Sequence, residues 1–156
     1  MTIRPATLTD IPTLCRLLCA VLDLHHEQRP DIFKPHTQKY TEAELVEILN
    51  NESTPVFVAC DETNAVLGYA FCQLTAHKDS HVLTDIKTLY IDDLCVDVTC
   101  QGKGVGTALY RHCVAFAKEQ GCYNLTLNVW AKNKAALRFY EKCGLTPQKI
   151  GMETIL

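Results

Sequence analysis

The sequence predicts one mixed α/β domain spanning residues 1–156, and three observations carry that prediction. Stretches with helical apolar spacing interleave with β-branched and aromatic runs, in the order β-α-α-β-β-β-α-β-α-β. Hydrophobic residues make up 47% and charged residues 21% of the chain, an ordinary globular balance that excludes disordered and low-complexity classes. No repeat and no linker divides the chain. A domain this long buries roughly 68–70% of the surface its unfolded form exposes, enough for a core without staples.

The first strand is short, Thr2-Ile3-Arg4. Thr9 or Asp10 can cap the helix that follows, and Pro12 is tolerated only in its first turn. Ile11, Leu14, Cys15, Leu17, Leu18, Val21 and Leu22 then form one apolar stripe. His25 to Pro35 is polar, contains two prolines and reads as a loop. Thr41-x-x-Glu44 is a capping box that opens a shorter helix through Leu49. Pro55 to Cys60 and Ala65 to Thr75 read as a hairpin about the turn Asp61 to Asn64, and His77 to His81 as a further turn. A long strand is expected over Thr84 to Val96, followed by an amphipathic helix from Val105 to Glu119 that Gly121 ends. Leu125 to Val129 reads as a strand, Asn133 to Lys142 as a helix stopped by Gly144, and Gln148 to Leu156 as a last β run.

Fifteen Lys and Arg against 18 Asp and Glu leave a net charge of −3, without the basic footprint of a nucleic-acid binder. No segment approaches the ~20 apolar residues of a membrane span. The first residues lack the charged start and apolar run of an export signal. The expectation is a soluble, cytoplasmic protein with no membrane or nucleic-acid partner. Nine cysteines, an odd number without a C-x-x-C pair, read as free thiols in core positions rather than a disulfide framework. Nothing in the spacing gathers the roughly four ligands that zinc needs, so no metal is expected.

The chemistry is expected at Gln101-Gly102-Lys103-Gly104-Val105-Gly106-Thr107, directly behind the long strand. Glycines ahead of a helix let backbone amides approach an anion, and the helix N-terminus carries partial positive charge. A phosphate-bearing ligand follows. The Walker pattern fails, because Gly102-Lys103 is followed by Gly104 and no glycine stands five positions before Gly102. The dinucleotide fingerprint fails too: Thr107 replaces its third glycine, and Asn124 and Asn128 stand where an acidic ribose partner is needed.

The pattern that fits is Q/R-x-x-G-x-G/A, as Gln101, Gly104 and Gly106. With Ile3-Arg4-Pro5-Ala6 and Asp10 at the start, Tyr90 to Val96 before the loop, and Asn133-x-x-Ala136-x-x-Phe139-Tyr140-x-x-Cys143-Gly144-Leu145 near the end, the chain resembles the GNAT superfamily of acetyl-CoA-dependent N-acetyltransferases. Leu145 replaces the family's common Phe. The resemblance implies a mixed, mostly antiparallel twisted sheet of about six to seven strands flanked by helices, with a V-shaped splay between strands 4 and 5. It implies acetyl-CoA as co-substrate, its pantetheine arm on the backbone of Leu94, Cys95 and Val96 and its pyrophosphate on Gln101, Gly102, Lys103, Gly104, Val105, Gly106 and Thr107. Asn133, Ala136 and Tyr140 complete the cofactor contacts the resemblance implies.

The reaction it implies is direct attack by a primary amine of a small molecule or peptide in a ternary complex, with Tyr140 protonating the CoA thiolate. Strand alternation places Asp92 with Tyr90 and Leu94, and Asp93 with Ile91 and Cys95, so only one of the two faces the slot. Polyamine acetyltransferases of the superfamily carry a Glu-Asp pair before the strand's end, which maps the base onto Asp92. Their acidic residue before Trp is missing from Asn128 to Asn133, so no polyamine is named. His25, His26 and Asp93 are the candidate acceptor contacts. The resemblance also implies a homodimer, through sheet edges or the run Gln148 to Leu156. The alternative is a non-catalytic acyl-CoA-binding or sensor domain, against which the retained Tyr140 argues.

Overall fold

A computed structural model describes residues 1–78 and 80–156. Among these residues the chain forms five strands and four α-helices: β1 (Thr2–Pro5), α1 (Ile11–Gln28), α2 (Glu42–Leu49), β2 (Val56–Cys60), β3 (Val66–Thr75), β4 (Thr88–Val96), α3 (Val105–Glu119), β5 (Asn124–Leu127) and α4 (Lys134–Lys142). The turn expected over 77–81 includes Asp79, which lies outside the described residues. The strands lie in sequence order, antiparallel from β1 to β4, with β5 parallel to β4. The parallel pair needs a crossover, and α3 supplies it.

Each face of the sheet is packed. Val56, Val58, Cys60, Tyr69, Phe71 and Cys95 meet the stripe Ile11, Leu14, Leu17 and Leu18 of α1 and Leu45 of α2. Phe57, Ala59, Ala70, Cys72, Leu89 and Ile91 meet Val105, Leu109, Cys113 and Ala117 of α3. Because both faces are covered, β2 is buried at every position instead of alternating. The capping box at α2 forms as read: Thr41 N–H donates to Glu44 Oε2 at 2.7 Å and Glu44 N–H to Thr41 Oγ1 at 3.2 Å. Asp10 does not cap α1 with its side chain but accepts from Thr7 N–H at 2.7 Å, closing the short helical turn ahead of α1. It is buried and takes two guanidinium hydrogen bonds from Arg4, at 2.7 and 2.9 Å, tying β1 to the start of α1.

Three expectations are corrected. The last β run does not form: 148–156 has no regular structure, and the sheet has five strands rather than six or seven. A strand exists only by pairing, and Gly151 within the run lowers its β propensity. The tail instead reaches the end of α1, where Glu153 pairs with the buried Arg29. The long strand begins at Thr88 rather than Thr84. Finally, α1 continues to Gln28, so His25 and His26 stand in its last turn rather than in a loop; Pro30 and Pro35 lie beyond the helix and do not stop it earlier. All nine cysteines are unpaired, and no helix is long and apolar enough to cross a membrane among the described residues.

Candidate active site

The site is built at the open end of β4. Its pairing with β5 runs from Thr88↔Asn124 to Ile91↔Leu127 and stops there, so Asp92 to Val96 have no strand on that side. This is the splay between strands 4 and 5. The direction of the free backbone groups follows from the other edge. Asp97 N–H donates to Leu67 O at 2.9 Å, so the polar groups of Asp97 and Cys95 face β3 while those of Leu94 and Val96 face the opening. Gly68 permits this close pairing. A Cβ there would stand 2.6 Å from the Cys95 carbonyl oxygen and 3.1 Å from Val96 Cα, both backbone atoms. Gly68→Ala is therefore expected to cost about 1–3 kcal/mol of stability, the usual penalty for overpacking. The loss is read as a lower urea midpoint at unchanged slope; an unchanged midpoint would show that β4 yields freely.

The two aspartates do not alternate. Phe71 pairs with Asp93 and Cys72 with Ile91, so Asp92 is the extra residue of a β-bulge. Leu89, Ile91, Leu94 and Val96 pack on the α3 face, and the bulge turns both carboxylates toward α1 and the segment before α2. The expectation that only one of them faces the slot is thus corrected, as is the pairing of Asp93 with Ile91 on one face. Asp92 Oδ2 accepts from Lys39 Nζ at 2.8 Å and from Tyr40 OH at 3.1 Å. Asp93 Oδ2 accepts from the fully buried Tyr69 OH at 3.0 Å. Burial pushes the Asp93 carboxyl above its ordinary value, against the opposing pull of the Lys39 charge and the Tyr69 hydrogen bond. Burial lowers the Lys39 ammonium, but its bond to Asp92 and the charges of Asp93 and Asp92 outweigh that and hold it above its ordinary value.

Tyr140 lies on α4, half-buried, with its ring edge-on to Phe139 at 5.0 Å. Burial first, and the charge of Asp93 second, push its phenol above the ordinary tyrosine value. No protein group hydrogen-bonds its hydroxyl among the described residues, which leaves a protonated donor free for a ligand. Asn133 caps α4, accepting from Ala136 N–H at 3.0 Å, and its side-chain amide hydrogens have no acceptor among the described residues.

The glycine loop has the conformation that an anion site needs. Gly102 and Gly104 have φ of +75° and +81°, a region L side chains rarely adopt. Residues 101–104 are exposed, and Gly104 caps α3 without any side-chain bond. The first-turn amides Val105, Gly106 and Thr107 thus lack an intrahelical acceptor. Gly106 has a separate reason: a Cβ there would touch the Phe139 ring at 3.4 Å, where α3 meets α4. Lys103 is exposed beside these amides. Cys95, between the free groups of Leu94 and Val96, has its thiol pushed up to about 12 by burial and then by Asp93, so it is no nucleophile.

On the α1 side of the sheet, residues the sequence did not single out join the two histidines that it did. His26 Nδ1 bonds Phe33 O at 2.7 Å and fixes the chain after α1. His25 stacks on Phe33 at 5.0 Å, and Phe33 meets Trp130 edge-on at 5.2 Å, so these rings bridge α1 to the end of β5. Burial, with the Lys39 charge, lowers the His25 imidazole below its ordinary value. Lys39, Tyr40 and Trp130 are the residues missed. Lys39 and Tyr40 sit just ahead of the Thr41 cap, and no periodicity marks them.

The match to known proteins covers this arrangement. The fold superposes on the BH1408 protein from Bacillus halodurans, in a tetramutant form, with a TM-score of 0.95, 31% identity and 100% of each chain covered. The YwnH protein of Bacillus subtilis (strain 168) is 30% identical over 95 residues, 61% of this chain and 55% of that protein. The streptothricin acetyltransferase of Streptomyces lavendulae is 32% identical over 88 residues, 56% of this chain and 42% of the enzyme. The chain thus spans about half the length of the curated relatives it matches. The model of the acetyltransferase (GNAT) family matches residues 19–145, a span holding the splayed strand, the glycine loop and Tyr140, and the chain belongs to that family.

Proposed function

We propose that the protein transfers the acetyl group of acetyl-CoA to a primary amine of a small molecule or peptide, by direct attack in a ternary complex. The single observation that carries this is the open edge of β4, which lies between a glycine loop with bare amides on one side and two carboxylates on the other. The pantetheine arm pairs with Leu94 and Val96 as an added strand would. The pyrophosphate lies on the amides of Gln101 to Thr107, with Lys103 beside it. An amide of this edge, fixed toward the thioester oxygen, stabilises the charge that develops there. Asp92 takes the proton of the attacking amine, Asp93 attracts the ammonium, and Tyr140 gives its proton to the departing thiolate. Asn133 and Ala136 hold the arm from α4. The phosphinothricin, glucosamine 6-phosphate and streptothricin named for relatives are all small molecules, which supports a small amine as the acceptor.

The same reading includes a cytoplasmic setting, which nine unpaired cysteines support. It also includes a homodimer, supported by the exposed side chains Ile150, Met152, Ile155 and Leu156 of the tail.

Thermal unfolding with acetyl-CoA, CoA, NAD and ATP tests the cofactor. A ligand that binds only the folded state at 100 times its Kd adds about 2.7 kcal/mol, several degrees at this size. The expected result is a shift with the two CoA species alone. A shift with ATP or NAD alone, or with none of the four, overturns the reading.

A further inference from the structure

We infer that the acceptor is a zwitterion, a primary amine that also carries a carboxylate, as free amino acids do: its ammonium sits on the Asp92–Asp93 bulge and its carboxylate on Lys39. This rests on the transfer reading above and adds the substrate class to it. Both protein bonds to Asp92 fall on Oδ2, which leaves Oδ1 without a protein donor among the described residues. Lys39 has three N–H donors and gives one to Asp92. Its side chain is 28% exposed and that of Asp92 21%, so the pair is partly buried but still open to a ligand. A fixed cation beside a fixed anion is matched by a ligand that carries the opposite two charges side by side.

The charge count argues against the other amines. A polycation meets the Lys39 charge beside Asp92. A simple alkylamine satisfies the carboxylates but leaves the remaining Lys39 donors facing an apolar group, a desolvation cost with no return. Arg29, at the end of α1, is committed to Asp31 and Glu153.

The test is acetyl-CoA-dependent thiol release with each of the twenty amino acids, alongside spermidine and simple alkylamines. The best amino acid is then compared with its methyl ester and its decarboxylated amine. The free acid is expected to exceed both in kcat/KM by at least about tenfold, the worth of one charge-assisted hydrogen bond. In Lys39→Met that ratio falls toward one, through the acceptor KM and not the acetyl-CoA KM, and Lys39→Arg restores part of it. Preference for the ester or the amine, or turnover of none of the twenty by protein that binds acetyl-CoA, overturns the inference and leaves the transfer reading standing. Failure to bind acetyl-CoA removes the transfer reading, and this one with it.

Discussion

Tyr140→Phe is expected to lower kcat by about 10²- to 10⁴-fold while moving the KM for acetyl-CoA little. The ring stays, so its contact with Phe139 and its place on α4 are kept, and only the proton is lost. That proton matters because the sulfur leaves as a thiolate, a charge that a proton from Tyr140 neutralises. Burial and the Asp93 charge raise the phenol's pKa, so the hydroxyl remains protonated throughout the neutral range and above it. The sign follows: no alkaline limb in kcat from Tyr140 is expected near neutral pH. A variant with unchanged kcat and an unchanged unfolding midpoint would reduce Tyr140 to a packing residue. Product formation should then show another donor.

Much of this was legible in the sequence, and the rest was hidden for physical reasons. The stripe of α1, the Thr41–Glu44 box and the glycine loop depend on residues close in sequence, whose geometry is local, and they stand where the spacing puts them. The bulge does not have that property. Strand alternation assumes that every residue has one partner, and the extra residue at Asp92 appears only when β4 is set in register against β3. Lys39 meets Asp92 across 53 residues, from a segment with no pattern of its own. The tail shows the converse: Gln148 to Leu156 has enough β-branched and apolar residues to read as a strand, but pairing decides, and Glu153 goes to Arg29 instead. At His25 and His26, polarity was read as the end of a helix, although polar side chains do not break one.

Asp92→Asn is expected to lower kcat/KM by about 10²- to 10³-fold and to change the shape of its pH profile. The amide keeps an oxygen for Lys39 and Tyr40, so the hydrogen bonds at Oδ2 survive in kind and the fold should hold. What is lost is the acceptor for the amine's proton. The variant must use the small fraction of acceptor that is already a free amine, so its kcat/KM climbs tenfold per pH unit up to the acceptor's own pKa. The wild-type protein instead reaches a plateau once Asp93 is ionised. The position of that acid limb is set by Asp93. Because burial raises its pKa above the ordinary value, its attraction for the ammonium is lost on acidification sooner than that of an unperturbed aspartate would be. Asp93→Asn should therefore remove the limb through the acceptor KM, whereas Asp92→Asn acts mainly on kcat. Matching profiles in both variants and the wild type would show that solvent takes the proton unaided and that the bulge only binds. A limb that disappears with Asp92 and stays with Asp93 would exchange their roles, since the carboxylate whose ionisation is seen is the one whose removal erases it.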